Sequence, residues 1–454
     1  MEWERVREKV LEEVYPSEEE LKETKKMYRK LSEYINKEHG LDTHFAGSVS
    51  RETCMAGDKD IDLFVLFPED TERQELERKG LEIGKSVFKR FDGEFEIDYA
   101  EHPYTKGVIE SHEVEIVPCF DTDPEDIKSS VDRTPHHSRW VDENLDRQQR
   151  KDVVLLKKFL SVHGIYGSSL KIEGFSGYLC EILIEEYGSF KNLLEAADEW
   201  KENELIDPEE HHEELPTELK KKFRDEPLVV IDPVDQERNV ASVLSKENLA
   251  KFIYYSWEFL EKPGVDSFRE EEIDYTEFEV EQEIDSRADF LVLEFKNIDE
   301  VDDIVYPQMR KTLSRLESEL RKRDFRIFTS GFHVGEKTRI LFEMDRNLPD
   351  STEQKGPSVF HGINHIKKFS SKYDNTFVCG DRLTAKIKRE YPDAKKFLQN
   401  FLEDDLVDKG IPENVAERIE DYRFIDPVQN DENWLNYLGE KLHIETNDDK
   451  NKSS

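Results

Sequence analysis

Cysteine, methionine and tryptophan are scarce in this chain, and cations are outnumbered by acids. Its 454 residues include 4 Cys, 5 Met and 5 Trp. Cys54, Cys119, Cys180 and Cys379 form no C-x-x-C pair and no zinc-ligand spacing, and four isolated thiols suit a reducing cytosol. No apolar run approaches the ~18 residues that a bilayer-spanning helix needs. The opening Met1-Glu2-Trp3-Glu4-Arg5 is charged, unlike a signal peptide. The expectation is a soluble, cytoplasmic protein with no membrane partner. Hydrophobic residues make up 36% and the mean hydropathy is -0.79. The chain is long for one domain, so two to four are expected.

Charge is the unusual quantity. Lys and Arg number 66 against 105 Asp and Glu, a net charge of -39. Such a field repels polyanions at low ionic strength, whereas nucleic-acid binding rests on phosphate contacts. Either the protein avoids nucleic acid, or it works in a high-salt cytosol, where screening acts beyond about 3 Å at 1 M. Acid-rich loops such as Asp207-Pro208-Glu209-Glu210-His211-His212-Glu213-Glu214 favour the second reading. Cations are concentrated at Arg147, Arg150 and Lys151, at Lys157 and Lys158, at 321–326, at Lys367, Lys368 and Lys372, and at 382–389.

Chemistry is concentrated in Gly47-Ser48-Val49-Ser50-Arg51 and Asp60-Ile61-Asp62-Leu63-Phe64-Val65-Leu66-Phe67-Pro68. Gly47 lets its backbone N–H approach a ligand closely, and Ser48 adds a hydroxyl. Backbone N–H groups in a turn, or at a helix start near Arg51–Cys54, make an anion nest. Leu63 to Phe67 reads as a strand buried on both faces. Asp60 and Asp62 alternate onto one face of it. Carboxylates at the rim of a buried strand require a compensating partner or cation, and Mg2+ suits such oxygen ligands. A second strand, 113–120, carries Glu113 and Glu115 on one face. Spacing does not choose between them as a third ligand. A phosphate cradle beside a carboxylate cluster points to nucleotidyl or phosphoryl transfer.

The ordered set of Gly-Ser, Asp-x-Asp and a third strand acid resembles the polymerase-β-type nucleotidyltransferase superfamily. Five further blocks narrow the resemblance to the archaeal CCA-adding enzymes, the tRNA nucleotidyltransferases. They are Val131-Asp132-Arg133-Thr134-Pro135-His136-His137, Gly164-Ile165-Tyr166-Gly167, Gly174-Phe175-Ser176-Gly177-Tyr178-Leu179-Cys180-Glu181, Val230-Ile231-Asp232-Pro233-Val234-Asp235 with Arg238-Asn239-Val240-Ala241, and Val305-Tyr306-Pro307-Gln308. The resemblance spans about 30 to 330. It implies addition of C, C and A to the tRNA 3′ end from CTP and ATP without a template, with two Mg2+ ions and release of pyrophosphate. It also implies a homodimer. By motif, Asp60, Asp62 and Glu115 match the catalytic metal ligands. Gly47, Ser48 and Arg51 match the triphosphate contacts. Thr134, His137, Lys157 and Tyr166 fall in blocks resembling the nucleotide pocket, and Arg238 resembles the arginine reading the incoming base. The family usually has Glu first and Asp third; here Asp60 comes first and Glu115 third. Each exchange moves a carboxylate by one methylene and bears on metal spacing. Poly(A) polymerases and oligoadenylate synthases are the alternative within the superfamily. An RNA-binding protein with a silenced head is the alternative outside it, which the presence of all three acids disfavours.

The implied fold class is α+β multidomain. A polymerase-β-like catalytic head (1–141) precedes a helical nucleotide-binding neck (142–262), a ferredoxin- or RRM-like body (263–361) and a mixed α/β tRNA-binding tail (362–454) with a disordered C-terminus from 447. Amphipathic helix over 1–40 breaks near Pro16. Strands are expected at 60–67, 94–101, 112–120, 228–231, 276–282, 289–296, 325–334 and 338–344. Helices are expected at 71–91, across 142–202, and at 245–260, 308–322, 383–389 and 394–402. Bland alternatives apply to several residues. His136-His137 lacks a third nitrogen ligand, so a transition-metal site is disfavoured. His211-His212 reads as exposed loop. Phe175 and Tyr178 suit core packing as well as base stacking, and Gly362 suits a turn as well as an RNA contact. No base and orienting acid pair with Ser48 as a nucleophile.

The acidic composition makes a prediction. Activity assayed against KCl rises with salt, and an optimum at low salt contradicts the reading.

Overall fold

The computed structural model describes residues 2–99, 101–270, 274–403 and 405–444. The expected disorder of 447–454 lies outside the described residues. Two compact units, Met1–Glu270 and Glu271–Ser454, divide the chain.

In the first unit, α1 (Glu2–Val14) and α2 (Glu18–His39) are separated at Pro16, as the charge-apolar pattern predicts. Ser17 caps α2 in a reciprocal capping box with Glu20, which satisfies the free N–H groups of the first turn. Next come β1 (Thr43–Ala46), α3 (Gly47–Ser50), β2 (Asp60–Pro68), α4 (Arg73–Arg90), β3 (Glu94–Tyr99), β4 (Pro103–Ile109) and β5 (His112–Asp121). They build a five-stranded sheet of order β1-β2-β5-β4-β3. Among the described residues of this sheet, only β2 and β5 pair in parallel. Ile61, Leu63, Val65 and Phe67 face a core with Met27, Leu31 and Ile35 of α2 and Ile83 and Val87 of α4. Phe64 packs on the opposite face with Ala46, Val117 and Cys119. β2 is thus buried on both faces, as its continuous apolar run predicts.

Two strands escape the sequence pattern. β1 has only four residues, and β4 contains Pro103 and Gly107, which read as breakers. Gly107 lies so close to the Glu94 backbone that a Cβ would overlap it. The helix expected near Arg51–Cys54 instead occupies Gly47–Ser50, and the chain turns through Glu52 at φ 58°.

The same unit continues with α5 (Arg133–Asn144), α6 (Arg147–Val162), α7 (Gly177–Tyr187), α8 (Phe190–Ala197), β6 (Glu204–Ile206), α9 (Thr217–Lys222), β7 (Leu228–Asp232), β8 (Asp235–Asn239) and α10 (Lys246–Glu261). α5 begins nine residues before the helical stretch read from the sequence. One core joins Leu155, Phe159 and Leu160 of α6 to Ile182 and Leu183 of α7 and Phe252 of α10, and takes in Val6 and Val10 of α1. Phe175 is fully buried there, with its ring 4.9 Å from Phe252, so it packs rather than stacking on a base.

The second unit contains α11 (Glu277–Asp285), β9 (Asp289–Lys296), α12 (Asp302–Arg321), β10 (Ile327–His333), β11 (Lys337–Met344), β12 (Ser351–Ser358), α13 (Ile363–Ser370), β13 (Thr376–Cys379), β14 (Arg382–Lys388), α14 (Ala394–Leu402), α15 (Glu413–Ile419), β15 (Arg423–Ile425) and α16 (Glu432–Leu442). Its main sheet has the order β10-β11-β9-β15. With α12 after β9 and α14 and α15 before β15, this is the β-α-β-β-α-β connection of a ferredoxin-like sheet. A smaller sheet, β12-β14-β13, is inserted after β11.

Two expected elements change type. Phe278 and Val280 alternate like a strand, but Thr276 and Glu279 close a capping box and start α11. The 383–389 segment, rich in helix-forming Lys and Ala, is instead β14, the middle strand of its sheet. Cross-strand partners on both sides override local propensity there. Among the described residues no helix is long and apolar enough to cross a membrane.

Candidate active site

In-register pairing of β2 with β5 sets Asp60 opposite Glu113 and Asp62 opposite Glu115. Lys106 of β4 lies opposite Glu115 on its other side. All four acids therefore share one face. Lys106 Nζ is 2.9 Å from Glu115 Oε1. Among the described residues, no cation forms an ion pair with Asp60 or Asp62. Burial first, then the charges of Glu115 and Asp60, push the Asp62 carboxyl up to about 6. Burial, Asp58 and Glu113 raise Asp60 as well. Glu115, half-buried and directly across from Asp62, is better placed as a third acid than exposed Glu113.

Gly47 stands at φ 77°, and a Cβ there would overlap the Asp62 carboxylate. The Gly-Ser turn thus faces the acids at a distance only glycine permits. Among the described residues, no three His, Cys, Asp or Glu side chains already close into a metal cage. The donor set nevertheless fits a hard divalent cation, because carboxylate oxygens share one face with a lysine at its edge. Ser48 is half-buried in the short helix α3, and its carbonyl accepts from the Thr53 N–H at 2.9 Å.

Arg51 is buried. Its Nε donates to Glu181 at 3.0 Å and its Nη1 to Ser138 at 3.1 Å. Glu181 is fully buried on α7 and also accepts from the Thr53 hydroxyl at 2.5 Å. Arg51 and Lys157 hold its carboxyl below the usual range against its burial. Lys157, in the core of α6, donates from Nζ to the Thr53 carbonyl at 2.8 Å. Burial lowers its pKa, against the opposing charge of Glu181. A Cβ on Gly177 would lie 3.4 Å from both Lys157 Nζ and Tyr166 Oη. Glycine there brings the start of α7 against both groups.

A second group forms around Asp232, which is fully buried at the end of β7. His137 Nε2 lies 3.0 Å from its Oδ2, and Arg238 Nη1 donates to the same oxygen at 2.6 Å. The His137 ring stacks on Tyr178 with centroids 4.0 Å apart. Burial lowers the His137 pKa, so the neutral ring is favoured. Thr134 is half-buried one turn before His137 on α5. Neighbouring His136 is buried. His211 and His212 set Nε2 3.0 Å and 2.9 Å from the carbonyl oxygens of Pro233 and Gln236, so they bind backbone rather than hanging free.

α7 organises both groups. Gly177 meets Lys157 and Tyr166, Tyr178 stacks on His137, and Glu181 binds Arg51. Glu181 and Asp232 lie in the matched blocks without an assigned role, and Lys106 lies outside them. The one available signal was a lone Glu inside the apolar run Leu179–Ile184, since a charge there must find a partner.

A glycine turn facing a row of strand carboxylates, backed by a buried basic cluster, defines a nucleotidyltransferase. A nucleotidyltransferase domain model matches residues 10–137. Models described as the second domain of tRNA nucleotidyltransferase and the C-terminal domain of the CCA-adding enzyme match 151–269 and 288–426. The chain is 37% identical over 432 residues to a CCA-adding enzyme of Methanocaldococcus jannaschii, covering 91% of this chain and 94% of that one. It is 39% identical to that of Thermococcus gammatolerans, covering 86% and 88%. It is 37% identical to that of Haloarcula marismortui, covering 82% of each. The chain belongs to the archaeal CCA-adding enzymes, the tRNA nucleotidyltransferases. A crystal structure of Cid1 poly(U) polymerase bound to Mg and 3′-dATP aligns at 14% identity and TM-score 0.48, over 59% of this chain and 98% of that one.

Two predictions come from this geometry. Gly47→Ala forces a positive φ on alanine and displaces Asp62. It is expected to abolish nucleotide incorporation while lowering stability by only ~1–2 kcal/mol, as read by paired activity and melting measurements. Asp62 has a raised folded pKa, so its ionisation costs stability as pH climbs from about 4 through about 6. Asp62→Asn is expected to raise stability in EDTA at pH 8 by ~2 kcal/mol, with the gain vanishing below about pH 4. An unchanged or lower melting temperature at pH 8 contradicts it.

Proposed function

We propose that the protein adds C, C and A in turn to the 3′ end of tRNA, using CTP and ATP and no nucleic-acid template. The observation that carries this is the shared face of Asp60, Asp62 and Glu115 opposite Gly47, in a chain that matches CCA-adding enzymes along most of its length. The tRNA 3′-hydroxyl oxygen bonds to the α-phosphorus, the bond to the bridging oxygen breaks, pyrophosphate leaves, and the hydroxyl proton passes to the carboxylate cluster. Asp60, Asp62 and Glu115 would hold two Mg2+ ions, which would supply charge neutralisation for the phosphates and acidification of the attacking hydroxyl. The Gly47 and Ser48 turn, Arg51, Thr134, His137, Lys157 and Tyr166 bind the triphosphate, and Arg238 reads the base.

Residues 351–389 support the RNA partner. They carry eight Lys or Arg and three Asp or Glu in a chain of net charge -39. Lys367 and Lys368 project from α13 without an ion pair among the described residues. Phe360 beside them is 84% exposed, which suits backbone contact with stacking. Most other basic clusters are internally paired, as with Arg323 on Glu319 and Arg150 on Asp142. The four-part division into head, neck, body and tail, a homodimer and a cytoplasmic location complete the proposal.

The test supplies tRNA lacking its terminal CCA, Mg2+ and each labelled nucleotide alone or mixed. Addition of C, C and A followed by a stop is expected. An unbounded A tail selects a poly(A)-polymerase-like activity, and no incorporation at any salt indicates a silent head. Asp62→Ala is expected to abolish incorporation and keep tRNA binding; lost binding would assign Asp62 a structural role.

A further inference from the structure

Base selection by Arg238 needs more than its presence. A guanidinium offers donors only. Cytosine N3 and adenine N1 accept a hydrogen bond, whereas uracil N3 and guanine N1 carry a hydrogen. An arginine held still against that edge therefore accepts C and A and rejects U and G. A loose arginine swings to the carbonyl oxygens that uracil and guanine also present. Selectivity then depends on what fixes the guanidinium.

Asp232 is placed to do so. Its Oδ2 takes both Arg238 Nη1 at 2.6 Å and His137 Nε2 at 3.0 Å. Its Oδ1 accepts from the Val234 N–H at 3.0 Å and from the Tyr178 hydroxyl at 3.4 Å. The carboxylate is fully buried, while the Arg238 side chain keeps 36% of its surface exposed. One end of the guanidinium is anchored and the remaining donors face outward. Because His137 shares the anchoring oxygen, one carboxylate also sets the separation between the base-reading and phosphate-binding groups. We propose that Asp232 is a positioning residue for nucleotide selection, holding Arg238 in register with His137 so that C and A are preferred over U and G. This rests on the roles given above to Arg238 and His137.

The experiment uses the full-length enzyme and tRNA lacking CCA, and measures kcat/KM for CTP and for UTP separately. Asp232→Asn and Asp232→Glu are each expected to reduce the CTP-over-UTP preference by ~10-fold or more. Asp232→Glu keeps the negative charge that both partners face and serves if the Asn variant does not fold. In an Arg238→Ala background, adding Asp232→Glu is expected to change the preference no further. A preference unchanged in Asp232→Glu, with CTP and UTP slowed equally, overturns the proposal, since a purely structural carboxylate lowers both rates alike. A wild-type enzyme that adds no C at all is a failure of the proposed function instead, and is distinguishable on that ground.

Discussion

Four carboxylates on one face of β2 and β5 are the constraint from which the head is built. Parallel pairing in register puts Asp60 and Asp62 against Glu113 and Glu115, and like charges in a half-buried setting are unfavourable. The protein does not remove that cost internally. It supplies Lys106 to Glu115 and leaves Asp62 with a carboxyl that resists ionisation. The apolar continuation of β2 holds the acids in place, because a slip of one residue would turn Leu63 and Val65 out of the core. Gly47 completes the arrangement by giving up the side chain that Asp62 would meet.

Elsewhere in the first unit, by contrast, the buried carboxylates of Glu181 and Asp232 have charged partners. Glu181 takes Arg51 and Thr53, and Asp232 takes His137, Arg238 and Tyr178. Removing one member of such a group leaves the others buried and uncompensated. These pairs span β1–β2, α5, α7 and β7–β8, so the charged groups hold the sheet and the helices in one geometry. The unmatched acids and the matched basic cluster are complementary. One side has Lys106 against its four acids, and the other holds Arg51 and Lys157 against a carboxylate and backbone.

The second unit uses the same principle in a sheet. Glu294 of β9 is buried and accepts from Arg339 of β11 at 2.9 Å and Arg423 of β15 at 2.8 Å. These cations hold its carboxyl below the usual range against its burial. Arg339 continues to Asp431 at the cap of α16. The ion network runs across three strands on one face, while Leu293, Ile340 and Phe342 fill the core on the other. Arg339 is itself buried against Glu294, so both members of that pair are shielded from water and the ion pair is stronger there than at the surface.

Period and composition were enough to read the long elements. The break at Pro16, the doubly buried β2, α4, β9, α12 and α14 all follow from local pattern, and Asp60 and Asp62 share a face because alternation is a property of any strand. The order of motifs likewise pointed to the family before any coordinates. Segments whose neighbours outweigh their own preference were not legible. β14 is a strand because it is paired on both sides, α11 is a helix because its cap prevails over an alternating pattern, and β1 and β4 are strands because of the neighbours they pair with. The choice of Glu115 over Glu113 as Asp62's neighbour is a matter of register, and register belongs to two strands at once. The joining of His137, Arg238 and Tyr178 at Asp232 is likewise a tertiary outcome, because residues up to 101 positions apart meet only when the chain has closed around a carboxylate that cannot stay buried alone.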